Sequence, residues 1–314
     1  MHSIKLKYLI IACLVICLAA MVSYCIFSLD NRVKFNQKVI NADNEEFNVK
    51  YFVGEADCFV IEPVYYDTPH SDFKNWRDKD GNILYGTNAS FFSYNNRTDS
   101  GSMSALHIYE NENMDYYGNC NPDKCILLEG NSNLIEYGMP DTALDIMYYT
   151  GEGVLLRSKT PYWYKNAEQN FHIENMVWGI GGYDLMLDKS FSDGESYINT
   201  VINSYPVTEK IHNAMISMKT SRTAIGLDKD NKIVLAAVFG GDLNSPAANG
   251  PTMYQIHLIM KELNCEVGLC LDGSNCTRVS YKENGVNKTI DADRKTFCRI
   301  RLTDEAAKNV IWPK

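Results

Sequence analysis

Residues Tyr8 to Phe27 form 20 consecutive positions without a single charge, and nothing else in the 314-residue chain is as long and as apolar. As a helix rising roughly 1.5 Å per residue, such a run matches a hydrocarbon core about 30 Å thick. A spanning helix is therefore expected. A cleavable export signal is the competing reading, with Lys5 and Lys7 as its basic region and Ala19 and Ala20 as small residues near a cleavage site. The run exceeds the roughly 7–15 residues of a usual signal core, which favours an anchor. Lys5 and Lys7 on one side face Arg32, Lys34 and Lys38 on the other, so flanking charge does not fix the orientation. The very short N-terminal tail is typical of a signal anchor whose body is exported.

The division expected is an anchor or signal at 1–28, a polar stalk at 29–46 and one folded domain at 47–314. The formal net charge is −9 and the basic residues are scattered, so the electrostatic footprint of a nucleic-acid binder is absent. Of ten cysteines, Cys13, Cys17 and Cys25 lie in the apolar run, leaving Cys58, Cys120, Cys125, Cys265, Cys270, Cys276 and Cys298. An exported body would carry up to three disulfides and one free thiol, with Cys120 and Cys125 suited to a local loop closure. No paired C-x-x-C occurs, and the six histidines do not complete a zinc pattern. Sequons at Asn88, Asn96, Asn275 and Asn287 matter only in a cell that glycosylates.

Short alternating stretches predict strands at Phe47 to Val53, Cys58 to Tyr66, Asn82 to Phe92, Met103 to Tyr109, Cys125 to Glu129, Gly153 to Arg157, Met176 to Gly181 and Asp184 to Leu187. Helical turns are expected within Asp67 to Gly81, and short helices at 196–203 and 209–216. In the C-terminal third, Arg222 to Leu227 and Lys232 to Phe239 flank the turn-forming cluster Asp228-Lys-Asp-Asn231 and read as a hairpin. Met253, Ile256, Met260 and Leu263 then recur at helical spacing, with Pro251 suited to the first turn. A strand through Val267, Leu269 and Leu271 ends at Asp272-Gly273, and strands at Thr277 to Lys282 and Phe297 to Leu302 precede a short terminal helix. The fold class expected is α+β, with strand-rich mixed sheets, few helices and one N-terminal transmembrane helix.

Chemistry is suggested at a few points. Asp272 ends a strand, where a carboxylate can meet solvent or ligand, although an aspartate there can equally close its own turn. Arg222 opens a strand, either capping the sheet or presenting its planar fork to an anion. Asn88 precedes Phe91 and Phe92, a mixture that suits a sugar ring or a core. Gly240-Gly241-Asp242 and Gly179-Ile-Gly-Gly182 follow strands without the helix of a dinucleotide site. G-x-S-x-G, H-E-x-x-H and P-loop motifs are absent.

In combination these pieces say more. N-A-S-F-F, G-G-Y-D-L-M-L-D, S-R-T-A-I-G-L-D, G-P-T-M-Y-Q-I-H-L-I-M-K-E-L and L-D-G-S, in that order, resemble the phosphodiester glycosidase family over roughly residues 80–300. The matching positions are Asn88, Phe92, Arg222, Thr223, Gly226, Asp272 and Gly273. The family usually continues L-D-G-G-G-S, whereas here Ser274-Asn275-Cys276 follows Gly273, so two glycines that allow close backbone approach are replaced.

The resemblance implies hydrolysis of a sugar-1-phosphodiester in envelope or exopolysaccharide metabolism. Asp272 would be the carboxylate acting as base, nucleophile or electrostatic stabiliser, and Arg222 would grip the departing phosphate. Asn88 would hold sugar hydroxyls, and Phe92, Thr223, Gly240, Gly241, Gly273 and Ser274 would complete the binding surface. Asp184 and Asp242 are reserve carboxylates. No cofactor is implied with certainty, and a Ca²⁺ or Mg²⁺ held by these oxygens is left open. The rival reading is a non-catalytic, membrane-tethered protein that binds a glycopolymer with the same fold and an altered turn.

Overall fold

The computed structural model describes residues 32–63, 77, 81–89, 92–95, 100–103, 107–108, 145–149, 155–158, 178–204, 216–241, 243, 245, 248–291 and 298–313. The apolar run 8–27, the turns expected within 67–81 apart from single positions, the strand expected at 125–129, Cys120, Cys125 and Asp242 lie outside them. Among the described residues no helix is long and apolar enough to cross a membrane.

In chain order the strands are β1 Val33–Ala42, β2 Glu45–Gly54, β3 Phe59–Pro63, β4 Gly86–Asn88, β5 Phe92–Asn95, β6 Ser100–Met103, β7 His107–Ile108, β8 Asp145–Tyr149, β9 Leu155–Ser158 and β10 Trp178–Asp184. Helix α1 (Gly194–Ser204) precedes β11 Arg222–Asp228 and β12 Ile233–Phe239, and α2 (Met253–Glu262) precedes β13 Cys265–Gly273. β14 Arg278–Glu283, β15 Val286–Asp291, β16 Cys298–Leu302, α3 (Asp304–Lys308) and β17 Val310–Ile311 complete the series.

Two sheets organise the body. The larger runs β17-β1-β2-β12-β11-β13-β10-β8-β9, with β7 also on β10, and the smaller runs β15-β14-β4-β16-β3. The β1–β17 pair is parallel, while β2, β12, β11, β13 and β10 pair antiparallel in succession. Side chains alternate across a strand, so a central strand covered on both faces needs apolar residues at every position. β12 meets that demand: Ile233, Leu235, Ala237 and Phe239 pack with Ile61, Val279 and Ile300 of the smaller sheet. Val234, Ala236 and Val238 pack on the opposite face with Tyr197 and Val201 of α1 and Ile256, Ile259 and Met260 of α2. The order of layers is therefore helices, large sheet, small sheet.

The expected hairpin is β11–β12, paired from Arg222↔Val238 to Leu227↔Ile233. The expected helix is α2, but Pro251 precedes it. Thr252 is the N-cap, accepting from the Gln255 amide, while the Gln255 side chain accepts from the Thr252 amide, a reciprocal capping box. The helix expected at 196–203 is α1. The strand expected at Met176 to Gly181 is described from Trp178 as β10 and runs on to Asp184, whereas Leu185 to Leu187, expected as strand, lie beyond its end.

Two expectations are corrected. Residues 33–42, placed in a polar stalk, form β1, burying Val33, Phe35, Ile40 and Ala42. Val33 and Phe35 join the core under the small sheet, and Ile40 and Ala42, of opposite parity, join the core under the helices, so each end of the strand buries a different face and the segment is no tether. The second correction concerns the cysteines: Cys58, Cys265, Cys270 and Cys276 are buried free thiols, and the described residues contain no disulfide. They fill apolar space as small hydrophobes. Burial pushes the Cys58 thiol up to about 12 and Cys265 and Cys270 upward as well.

Candidate functional site

β11 begins where β13 ends, because the strands are antiparallel, with Arg222 opposite Gly273. The register slips by one residue between Arg222 and Ala224, which pairs with Cys270. Such a bulge bends the strand and re-aims its terminal residues. β4 of the smaller sheet comes up to the same place, and the Asp272 amide donates to the Ala89 carbonyl at 3.1 Å. Residues far apart in sequence thus meet at one sheet end.

Asn88 is the hub of this meeting. Its Nδ2 donates to the Asp272 carbonyl at 2.9 Å. Its Oδ1 accepts from the Thr223 hydroxyl and from the Arg278 amide, the latter at 3.0 Å. Asn88 and Thr223 are each 0% exposed. One amide therefore ties β4 to β11, β13 and β14. The same burial leaves the Asn88 sequon without an accessible acceptor.

Arg222 is 4% exposed. Its Nε donates to the Pro251 carbonyl and one terminal nitrogen to the Met218 carbonyl, both at 2.8 Å. The other terminal nitrogen lies 4.0 Å from the buried Cys270 Sγ. The guanidinium thus stitches the start of β11 to the segment that enters α2. That segment packs tightly: a Cβ on Gly250 would fall 2.2 Å from the Thr220 carbonyl carbon and 2.3 Å from the Ser221 nitrogen.

Asp272, Gly273 and Ser274 are only partly buried. The Asp272 Oδ1 accepts from the Gly273 amide at 2.8 Å, so one carboxylate oxygen helps close the turn, as the turn-closing reading of this residue expected. Ser274 donates its amide to the Ser221 carbonyl at 2.7 Å, and the Ser221 hydroxyl donates to the Ser274 carbonyl at 2.8 Å. Ser274 has φ 59°, a left-handed conformation that a glycine adopts without penalty. A 3-10 turn, Ser274–Cys276, leads from there into β14.

The other expected residues divide. Gly240 and Gly241 follow β12 at the same sheet end; a Cβ on Gly240 would lie 2.4 Å from the Asn249 carbonyl oxygen, whereas Gly241 faces open space. The backbone of Phe92 lies in β5, paired with β6. Asp184 is 1% exposed, and its Oδ1 accepts from the Met186 amide at 2.8 Å. It pairs with Leu269, three positions before Asp272 on β13, hence about 10 Å deeper along the strand. Among the described residues no group of three or more His, Cys, Asp or Glu could hold a metal ion.

Three contributors escaped sequence reasoning: Ser221, which locks the turn through both hydrogen bonds to Ser274, Gly250, and Arg278, whose amide meets Asn88. Ser221 and Gly250 open two of the quoted motifs and Arg278 lies in an expected strand, yet nothing local marked any of them as part of the site.

Fold and site together define a layered α+β protein with a carboxylate presented at the end of a central strand. The family model for phosphodiester glycosidase matches residues 162–299, bearing out the resemblance read from the sequence. That span holds β11, β13 and the Asp272 turn, while Asn88 and β4 precede it. No curated protein sequence matches the chain. Among solved structures, the catalytic domain of zebrafish N-acetylglucosamine-1-phosphodiester alpha-N-acetylglucosaminidase, auto-inhibited by its pro-peptide, superposes with a TM-score of 0.54 at 16% identity, covering 86% of this chain and 82% of that one. A hypothetical protein from Synechocystis gives 0.44 at 12% identity, with 87% and 62% covered. The zebrafish likeness establishes a shared fold.

Proposed function

We propose that this chain is a hydrolase that releases a sugar from a sugar-1-phosphodiester. The observation that carries the reading is the partly exposed Asp272 at the end of β13, its main chain held by Asn88, within a segment that matches the phosphodiester glycosidase model. Water attacks the anomeric carbon, the C1–O bond breaks, and its electron pair leaves with the phosphate monoester. Phosphate is a good leaving group, so little general-acid assistance is needed. The oxocarbenium-like transition state still requires a nearby carboxylate, and Asp272 supplies it as base, nucleophile or electrostatic stabiliser. The reading also keeps the body extracytoplasmic, tethered through residues 8–27, with envelope or exopolysaccharide glycans as the source of substrate.

The test is sugar release by the detergent-solubilised full chain from methyl phosphodiesters of α-linked N-acetylglucosamine, glucose, galactose and mannose 1-phosphates, with Asp272→Asn alongside. Turnover by wild type that falls at least about 100-fold in the variant is expected, the scale of losing a general-base or electrostatic group. A folded wild type that releases no sugar from any diester, with or without Ca²⁺ or Mg²⁺, would overturn the assignment. The glycan-binding reading then takes its place, favoured by the serine that stands at the left-handed position of the turn.

A further inference from the structure

The expected site residues around the junction of β4, β11 and β13 fall into two groups by burial. Asn88, Thr223 and Arg222 are 0%, 0% and 4% exposed, whereas Asp272, Gly273 and Ser274 reach the surface. We infer that Asn88, Thr223 and Arg222 are positioning residues that clamp the main chain around Asp272 from two sides, and that they contact neither the sugar nor the phosphate of the substrate. This rests on the glycosidase reading for its catalytic consequence, though not for the clamp itself.

Hydrogen-bond capacity carries the inference. An asparagine side chain has two acceptor sites and two N–H donors. In Asn88 both acceptor sites serve Thr223 and the Arg278 amide, and Nδ2 serves the Asp272 carbonyl. Holding a sugar hydroxyl would require the amide to leave these partners, among them the backbone amide of the buried Arg278. The Arg222 guanidinium is committed in the same way. A bidentate phosphate contact needs two parallel N–H groups on one edge, and Nε and one terminal nitrogen already serve the Pro251 and Met218 carbonyls. The remaining terminal nitrogen is turned toward Cys270, which is itself wholly buried.

The two halves of the clamp act on different faces of the large sheet. Asn88 and Thr223 work from the small-sheet side, where Asn88 receives Thr223 and holds the Asp272 carbonyl. Arg222 works from the helix side, where the entry to α2 lies across residues 220 and 221. Ser221, between them in sequence, fixes Ser274 on both its amide and its carbonyl. Asp272 is left with its backbone fixed and one carboxylate oxygen held by the Gly273 amide, and a group held in place before the reaction is what transition-state stabilisation requires.

The experiment separates positioning from contact. The full chain and its Asn88→Ala, Arg222→Gln, Thr223→Val and Thr223→Ser variants are assayed on N-acetyl-α-glucosaminyl 1-(methyl phosphate), with inorganic phosphate as competitor. Amide hydrogen exchange is followed in peptides covering 270–280 and, as an internal reference, 230–240. Positioning predicts that kcat falls about 100-fold in Asn88→Ala and Arg222→Gln, the scale of a misplacement near 1 Å, while KM and the phosphate inhibition constant stay within about threefold. Exchange across 270–280 accelerates about tenfold or more in Asn88→Ala while the β12 peptide stays protected. Thr223→Ser retains the wild-type rate and Thr223→Val does not. A tenfold rise in KM or in the phosphate inhibition constant with kcat retained would mean direct contact and would overturn the inference, as would unchanged exchange at 270–280. Should wild type not turn over this diester while releasing sugar from another of the panel, that diester replaces it. Should it turn over none, the glycosidase reading fails and the exchange data alone decide the clamp, with the milder Thr223 pair serving if Asn88→Ala does not fold.

Discussion

Removing the Thr223 hydroxyl and the Asn88 amide, separately and together, measures how firmly the end of β13 is held. Thr223→Val preserves shape and deletes one donor to Asn88 Oδ1, which keeps its second bond from the Arg278 amide. The expected cost is about 1 kcal/mol, one net hydrogen bond. Asn88→Ala deletes three hydrogen bonds, one of them to the amide of the buried Arg278 and one to the Asp272 carbonyl. At about 1 kcal/mol for each bond, with the lost partner of the buried amide added, the loss is about 3–4 kcal/mol. In the double variant the Val substitution adds almost nothing, because its partner is already gone, so the coupling energy is about 1 kcal/mol. Urea unfolding midpoints, compared at a common slope, give all four free energies. Additivity within about 0.3 kcal/mol, or an Asn88→Ala cost below about 1 kcal/mol, would refute the view that this amide joins the two sheets.

Gly250→Ala forces a methyl into the Thr220–Ser221 backbone, which has no flexible end to yield, so thermal unfolding should show a loss of about 2–3 kcal/mol and the Arg222–Pro251 contact should loosen. Ser274→Gly relieves a left-handed φ at the mouth of the site, and after the extra chain entropy of glycine a gain of about 0.5 kcal/mol should remain in the same assay. His257 is 1% exposed among Phe191, Tyr197 and Tyr254, with its Nδ1–H donating to the Leu185 carbonyl at 2.7 Å. Burial lowers its pKa below the ordinary value, so the unfolded chain takes up the proton first and stability falls as pH drops from about 6.5 through the lowered native value. His257→Asn, which keeps a donor for Leu185 and does not titrate, should flatten the melting temperature between pH 7 and pH 5; an unchanged slope would remove His257 from the account.

How much could be read from the chain depended on the range of the cause. The β11–β12 hairpin was legible because Asp228 to Asn231 carries its own turn chemistry: the Asp228 side chain accepts from the Asp230 and Lys232 amides, and Asn231 takes a left-handed φ of 59°. Helix α2 was legible from its apolar spacing, and its true start lay two residues beyond Pro251 because a threonine–glutamine pair closed the cap. The β14–β15 hairpin was missed although Asn284-Gly285, both at positive φ, is a strong signal for a two-residue turn. β1 was taken for a tether because its middle is polar. Its turn into β2, Asp43-Asn44 with both residues at left-handed φ, was a local signal left unread, whereas its pairing with β17 from the far end of the sequence is one that no local rule reports.

By itself the sequence determined the strand-rich character of the body, the best hairpin and helix, and, through resemblance to the phosphodiester glycosidase family, the residues on which to look. Those properties rest on turn chemistry, periodicity and motif order, all written within a few neighbouring positions. Only the tertiary structure decided what the chosen residues do. Burial of Asn88 and Arg222, the backbone carbonyls that occupy their donors, and the thiol state of Cys270 depend on segments 29 to 190 positions apart being folded onto one another. Hydrogen-bond capacity is a property of the residue type, but whether any of it remains for a ligand is set by what the fold brings within 3 Å.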